Sequence, residues 1–397
     1  MATPPAAHYG PAAEADIPAL ARLISHAFAG PLDGSRDWIV NQGLADVRAV
    51  RTAPGNSPDA CLRRIDMGQF FGGRPVRMAG IAGVAVAPEA RGRGLAKQMM
   101  GQCMLEAAAE GFAISTLYAS TQALYRSVGF EQAGHSCTIH IPVHRIDVAE
   151  RTGEVCALGE ADQPGIEACY ESYARRFPGM LARGKYVWNR IREWRGEKHN
   201  PFGIRDDRGN ITGYLYLSQR RRETDGRHDL NLTDAAFTTP QAGRRLLAFL
   251  SQFGTMAHDV QFAGGPMHPW LNMLGEKKFD VKLKEYWMVR VLDVARAIEA
   301  RGWNPTLRAE AHLRITDQLI PANAGDWTVR VLDGQATAAR GGRGEIKMDI
   351  RGFAPLYTGF MSPQELALTG LVEGPEAALN AAAAVFASPL PWMTDFF

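Results

Sequence analysis

The stretch VAVAPEARGRGLAKQMM (residues 84–100) sets two arginines and two glycines between an alternating apolar run and a series of helix formers. A helix N-terminus leaves backbone N–H groups unpaired and carries partial positive charge, so it attracts anions. Gly92 and Gly94 let an anion approach those groups, and Arg91 and Arg93 add charge-assisted hydrogen bonds. The pattern predicts a phosphate or pyrophosphate site. It is not a nucleotide-triphosphate loop, because the Gly-Lys-Ser/Thr ending is absent. Nor is it the dinucleotide fingerprint, which needs a third glycine and an acidic partner further on. Two other groups bear on chemistry. Tyr125 lies within a short helical run ending at Gly129, and the last residue, Phe397, carries a free carboxylate approached by the apolar Pro391, Trp392 and Phe396. Apolar residues next to a terminus are costly to leave in water, so this end is expected to be tied down.

Elements predicted from periodicity place these groups. Asp16 is expected to cap a helix with Ile17, Leu20, Ile24 and Phe28 on one face and Gly30 as its stop. Short strands are expected between Cys61 and Val86, with turns at FGGRP and near MAGIAG. After the glycine loop, Leu95, Met99 and Cys103 share a helical face. FAISTLY reads as a buried strand, Ser120 as the cap of the run holding Tyr125, and two strand-like runs follow.

Residues 151–290 repeat this order more weakly: a helix near 160–176, strands GYLYLSQ and DLNLTDAAF, then TPQAGRRLLAFLSQFG. Aligning Pro240 with Pro88 sets Leu246 on Gly94 and Leu274 near Tyr125, bulky residues that would block a ligand's approach. From 291 the character changes to a compact α+β unit of strands and helices that includes an alanine-rich helix. Three domains are expected: 1–150, 151–290 and 291–397.

Composition narrows the class. The 397 residues are 46% apolar and 22% charged with a formal net charge of +2, a globular profile without the clustered basic face that nucleic acid requires. The run SQRRRETDGRHD reads as a solvated hairpin. Five widely spaced cysteines suit a reducing, cytoplasmic setting better than a disulfide framework. No signal peptide and no transmembrane stretch is read in the sequence. His135, His140 and His144 lack a completing ligand, so no metal site is expected. Trp188, Trp194, Trp270 and Trp287 read as core.

VAVAPEARGRGLA resembles the acetyl-CoA loop of the GCN5-related N-acetyltransferases, with Arg91, Arg93, Gly94 and Ala96 on the pattern's positions. YRSVGFEQAG, MVRVLDVARAIEARG, LRITDQLIPANAG, LYTGF and the aromatic end extend the resemblance over nearly the whole chain, to the enhanced intracellular survival acetyltransferases. The resemblance implies an α/β (α+β) architecture of two tandem acyltransferase folds, the second degenerate, followed by a sterol-carrier-like domain whose C-terminal carboxylate returns to the active site. It implies transfer of acetyl from acetyl-CoA to a primary amine of an aminoglycoside, polyamine or lysine-type acceptor, with Tyr125 as general acid and the Phe397 carboxylate as base. Val84, Ala85, Val86, Arg91, Gly92, Arg93, Gly94, Leu95, Ala96, Ser120 and Thr121 would hold the coenzyme, the 84–86 edge donating to the acetyl oxygen. Phe28, Trp38 and Phe396 would line the acceptor pocket. A hexamer is implied by the family alone. One departure matters: drug-acetylating members carry an acid before the last residue and another beside the first helix, where this chain has Phe396 and His26. The alternatives are a lipid or sterol carrier and a silent acetyl-CoA-binding protein.

Overall fold

The computed structural model describes residues 7–53, 55–194, 196–223 and 225–397, with Trp194 described by its backbone alone. Trp194's side chain, Thr224 in the basic run and the first six residues therefore lie outside the described residues. Two sheets organise the chain. One, of thirteen strands, runs in the order His8–Pro11, Val47–Arg51, Ala60–Phe71, Arg74–Val86, Ile114–Tyr118, Asp280–Val291, Glu131–Pro142, Ala257–Gly264, His228–Phe237, Ile211–Arg221, Asn200–Arg205 and Val155–Ala157; the short Leu181–Ala182 pairs onto Ala60–Phe71. The other has five strands within residues 309–373 and is covered by helices Ile350–Thr358 and Glu376–Phe386.

The order is not the chain order. Asp280–Val291, which closes the second unit in sequence, lies between Ile114–Tyr118 and Glu131–Pro142 of the first. Glu131–Pro142 in turn pairs with Ala257–Gly264 of the second. Each unit thus completes its sheet with a strand from the other, and the two share one continuous hydrogen-bonded ladder.

Several local expectations are corrected, two of them through glycine. Residues 60–86 form two long strands and one hairpin at Gly72–Gly73; MAGIAG lies inside the second strand. Its glycines make room rather than turns. A methyl group at Gly80 would stand 2.2 Å from the Met67 side chain and 3.1 Å from the Phe397 ring. The two runs expected after Gly129 are likewise one strand, Glu131–Pro142, with Gly134 pressed against Trp287. The first helix, Ile17–Phe28, stops at Ala29 in the left-handed region (φ 50°) rather than at Gly30. Asp16 stands at its N-cap position as expected, but its side chain does not cap the helix: the carboxylate accepts from the Ala13 N–H and pairs with Arg51.

The third unit is fastened by buried charge. Arg290 on the exchanged strand donates to both oxygens of Asp317 at 2.9 Å, and both side chains are essentially unexposed. Asp317 also accepts from the Leu319 and Ile320 N–H groups and from Asn323 Nδ2. Removing one member strands the other charge in a dry site. Asp317→Ala is therefore expected to lower unfolding free energy by about 3–5 kcal/mol, measured by urea denaturation.

Candidate active site

The glycine loop leads from the strand Arg74–Val86 through a short turn, Pro88–Ala90, to the helix Leu95–Ala109. Gly92 and Gly94 both adopt positive φ (75° and 77°), and the space where a Cβ would stand is open at each. Gly94 is the helix N-cap, and no side chain caps it. Among the described residues, no protein oxygen accepts from the N–H groups of Gly92 through Lys97. Arg91 and Arg93 are exposed beside them, Arg91 Nε reaching the Val86 carbonyl at 3.4 Å. Six successive unpartnered amides, two left-handed glycines and two guanidinium groups form a concave cationic cradle that fits a diphosphate.

Behind the loop the sheet opens. Arg74–Val86 and Ile114–Tyr118 are parallel and pair from Met78↔Ile114 to Ile81↔Leu117; beyond that they part. The same strand bulges against its other neighbour, where Cys61↔Ala85 is followed by Arg63↔Ala82. The extra residue falls at Gly83–Val84, and Gly83 has φ 60°. The bulge and the parting leave the edge from Ala82 to Val86 without a strand partner on the cleft side, with Gly83, Val84 and Val86 only half-buried.

Tyr125 lies on the helix Gln122–Arg126 at the far wall, 4% exposed, its ring edge-on to Phe130. Burial raises its phenol above the ordinary tyrosine value, and a hydrogen bond with the Ser120 side chain works the other way. The N-cap of this helix is Thr121, not Ser120; Ser120 precedes it, exposed. The cap expectation failed because a Ser-Thr pair offers two candidates one residue apart.

At the other end of the cleft a ring of side chains joins the parted strands. A methyl group at Gly83 would lie 2.6 Å from the Trp38 ring; Trp38 Nε1 donates to the Tyr186 hydroxyl at 3.2 Å, as does Arg190. Arg190 lies 6.0 Å and Lys284 Nζ 5.6 Å from the Phe396 ring, which packs 4.8 Å from Tyr118 at the end of the second strand. Trp38 and Phe396 thus meet at one mouth, whereas Phe28, 57% exposed, makes none of these contacts. Phe397 is buried, its ring against Gly80 and Tyr118.

The chain end is held firmly. Trp392 forms a bridge with His135, and its N–H donates to the Pro178 carbonyl. Arg183 donates to both oxygens of Asp395 (3.1 and 2.8 Å) and both oxygens of Asp234 (2.7 and 2.8 Å), with all three side chains at most 4% exposed. Burial pushes the Asp395 carboxyl above the usual range, against the pull of Arg183. Sequence reasoning missed Tyr118, Arg183, Tyr186 and Asp395. Only Asp395, an acid inside the apolar PWMTDFF, gave a signal.

The corresponding gap of the second unit is closed. Its parallel strands His228–Phe237 and Ala257–Gly264 pair only as far as Leu232↔Phe262. Trp270 fills the gap, stacked 5.7 Å from Phe237 and donating to the Gly243 carbonyl. The helix Pro240–Ser251 begins on a proline, which has no N–H, and Thr239 Oγ1 accepts from Ala242. Pro240 opens that helix, whereas Pro88 opens the turn before the loop, so the two prolines are not equivalent. Leu246 is buried in the core beside Gly213. Among the described residues Asp229, His258 and Asp259 bring three possible ligand atoms together in this unit, but Arg222 already pairs with Asp229.

Comparisons with known proteins identify the family. Residues 8–133 and 179–291 match the acetyltransferase (GNAT) domain, and residues 294–394 the sterol carrier protein domain. A solved GCN5-related N-acetyltransferase from Anabaena variabilis is 31% identical, covers 98% of this chain and 100% of its own, and superposes with a TM-score of 0.94. An uncharacterized N-acetyltransferase of Streptomyces avermitilis is 26% identical over 94% of this chain and 95% of its own. N-acetyltransferase Eis of Mycobacterium tuberculosis is 25% identical over 80% of each chain. The chain belongs to the GCN5-related N-acetyltransferases, in the Eis-like arrangement of two such domains and a sterol carrier domain. It is an acetyltransferase, and its domains imply acetyl-CoA as cosubstrate. No helix among the described residues is long and apolar enough to cross a membrane.

Gly83 combines a left-handed backbone with a Trp38 contact that leaves no room for a side chain. Gly83→Ala is expected to cost about 1–3 kcal/mol of stability, read by chemical denaturation.

Proposed function

We propose that the protein transfers acetyl from acetyl-CoA directly to a primary amine in the first unit's cleft. The observation that carries this reading is the run of unpartnered amides at Gly92–Lys97 placed at the open end of two parting strands. The diphosphate lies on that cradle with Arg91 and Arg93. Gly94, Leu95 and Ala96 form the helix start beneath it, and the pantetheine runs between Val84–Val86 and Ser120–Thr121. The amine nitrogen attacks the thioester carbon, and a backbone N–H of the 84–86 edge donates to the oxygen as charge develops. The C–S bond breaks, and Tyr125 gives its proton to the sulfur; a phenol held above its ordinary value stays protonated at neutral pH. The carboxylate of Phe397 takes the proton lost from the amine. Products are the amide and free coenzyme A.

The mouth favours acceptors of low charge. Its walls are the Trp38, Tyr186, Tyr118 and Phe396 rings, two cations approach Phe396, and the carboxylate of Asp395 is engaged by Arg183. Monoamines with an apolar or aromatic body fit this lining better than polycationic aminoglycosides. A carrier role for the third unit is less well supported: Trp303, Phe353, Tyr357 and Phe386 are buried and pack on one another.

Arg93→Ala is expected to weaken coenzyme A binding roughly tenfold, the loss of about 1.5 kcal/mol from one charge-assisted bond, in titration calorimetry. Undiminished affinity would remove the loop from the site. Tyr125→Phe should lower kcat by about 10²–10⁴ in a thiol-release assay while calorimetry shows coenzyme affinity retained.

A further inference from the structure

We infer that Arg183, Asp395 and Tyr118 form a clamp that positions the end of the chain for the reaction, which makes Arg183 and Tyr118 positioning residues. The inference rests on the reading of the Phe397 carboxylate as base.

The geometry is that of a tie between three parts of the chain. Arg183 follows the short strand Leu181–Ala182, which pairs with Ala60–Phe71 of the first unit's sheet. Its guanidinium lies 3.5 Å from the Tyr170 ring and 4.8 Å from Trp188, so it is fixed in plane as well as by charge. One side of it holds Asp234, on the second unit's strand His228–Phe237, which also accepts from the Tyr214 hydroxyl at 2.5 Å. The other side holds both oxygens of Asp395. Tyr170 adds a longer contact of 3.4 Å to the same carboxylate.

The main chain of Asp395 is held from the opposite direction. Its carbonyl accepts from the Tyr118 hydroxyl at 2.8 Å, and Tyr118 is the last residue of the strand that parts from Arg74–Val86. Phe396 and Phe397 then lie against the Tyr118 ring, at 4.8 and 6.0 Å. Only two residues separate the doubly held Asp395 from the terminal carboxylate, so little freedom remains between clamp and terminus. A purely structural ion pair would not need the second tie, which comes from the cleft strand itself. The two ties together set the chain end relative to the wall along which the thioester would lie.

The test uses the full-length protein and Tyr118→Phe, which removes one hydroxyl and keeps the ring packing. Asp395→Asn serves as a second variant that weakens the Arg183 contact; Tyr118→Phe carries the test where that variant does not fold. Two quantities are read: release of the terminal phenylalanine by carboxypeptidase, and kcat and KM for acetyl-CoA. The expected result is release about tenfold faster with kcat lowered by a similar factor and KM for acetyl-CoA within twofold. Unchanged release overturns the clamp. Faster release with unchanged kcat overturns its part in the reaction. A third protein with one glycine added after Phe397 separates the two ideas. Full turnover there removes the terminal base, and the clamp's catalytic purpose with it, while the release rates still report whether the anchor exists.

Discussion

A backbone N–H withdrawn from water without a partner costs about 1–3 kcal/mol, and folded chains arrange to avoid it. The first unit has two adjoining places where pairing stops. The parallel strands separate after Ile81 and Leu117, and the helix at Leu95 begins without a side-chain cap. Both depend on one feature, a strand that bulges at Gly83–Val84 and then turns through Pro88 into the glycine loop. The parting makes a slot, and the uncapped helix makes its cationic head. Together they leave unpartnered amides and two guanidinium groups at the open end of the sheet, an arrangement that attracts anions.

The second unit offers a contrast within the same chain. It has a similar parallel pair and a following helix, yet Thr239 answers two of that helix's first amides, those of Ala242 and Gly243. Thr239 caps the helix, Pro240 removes one donor, and Trp270 occupies the gap. His268 lies between Tyr173 and Trp392, with burial driving its imidazole down to about 3, so it is neutral packing material. The second unit thus has a sheet like the first and a filled gap where the first is open. It retains a role as a buttress: it supplies the strand Asp280–Val291 to the first unit and the Asp234 carboxylate to Arg183.

The third unit closes the arrangement. Arg351 on its helix reaches back to the buried Glu131, which Arg126 also holds, so the segment following Tyr125 is fixed by a charge from a different domain. The chain then runs through Trp392 and Asp395 to the mouth of the slot. Residues from all three units meet within a few ångströms there, although each alone looks like ordinary core or surface.

The sequence by itself determined the local chemistry. A proline, two glycines and two arginines between a strand and a helix can satisfy few arrangements, and periodicity located the helix that follows them to within a residue or two. It did not determine what the glycines at 80, 83 and 134 were for. Glycine in isolation signals a turn, and only the approach of Phe397, Trp38 and Trp287 shows that the absent side chain is the requirement. Nor could it reveal the strand exchange, the filled second slot or the Arg183 tie, since Tyr118 and Asp395 are 277 residues apart. Helical periodicity is set by neighbours within a turn or two, so the order of residues records where a helix lies, although its caps were displaced by a residue at Ala29 and Thr121. Which distant edges pair, and which charges are buried together, is decided by the whole chain competing for the same sheet and the same dry interior.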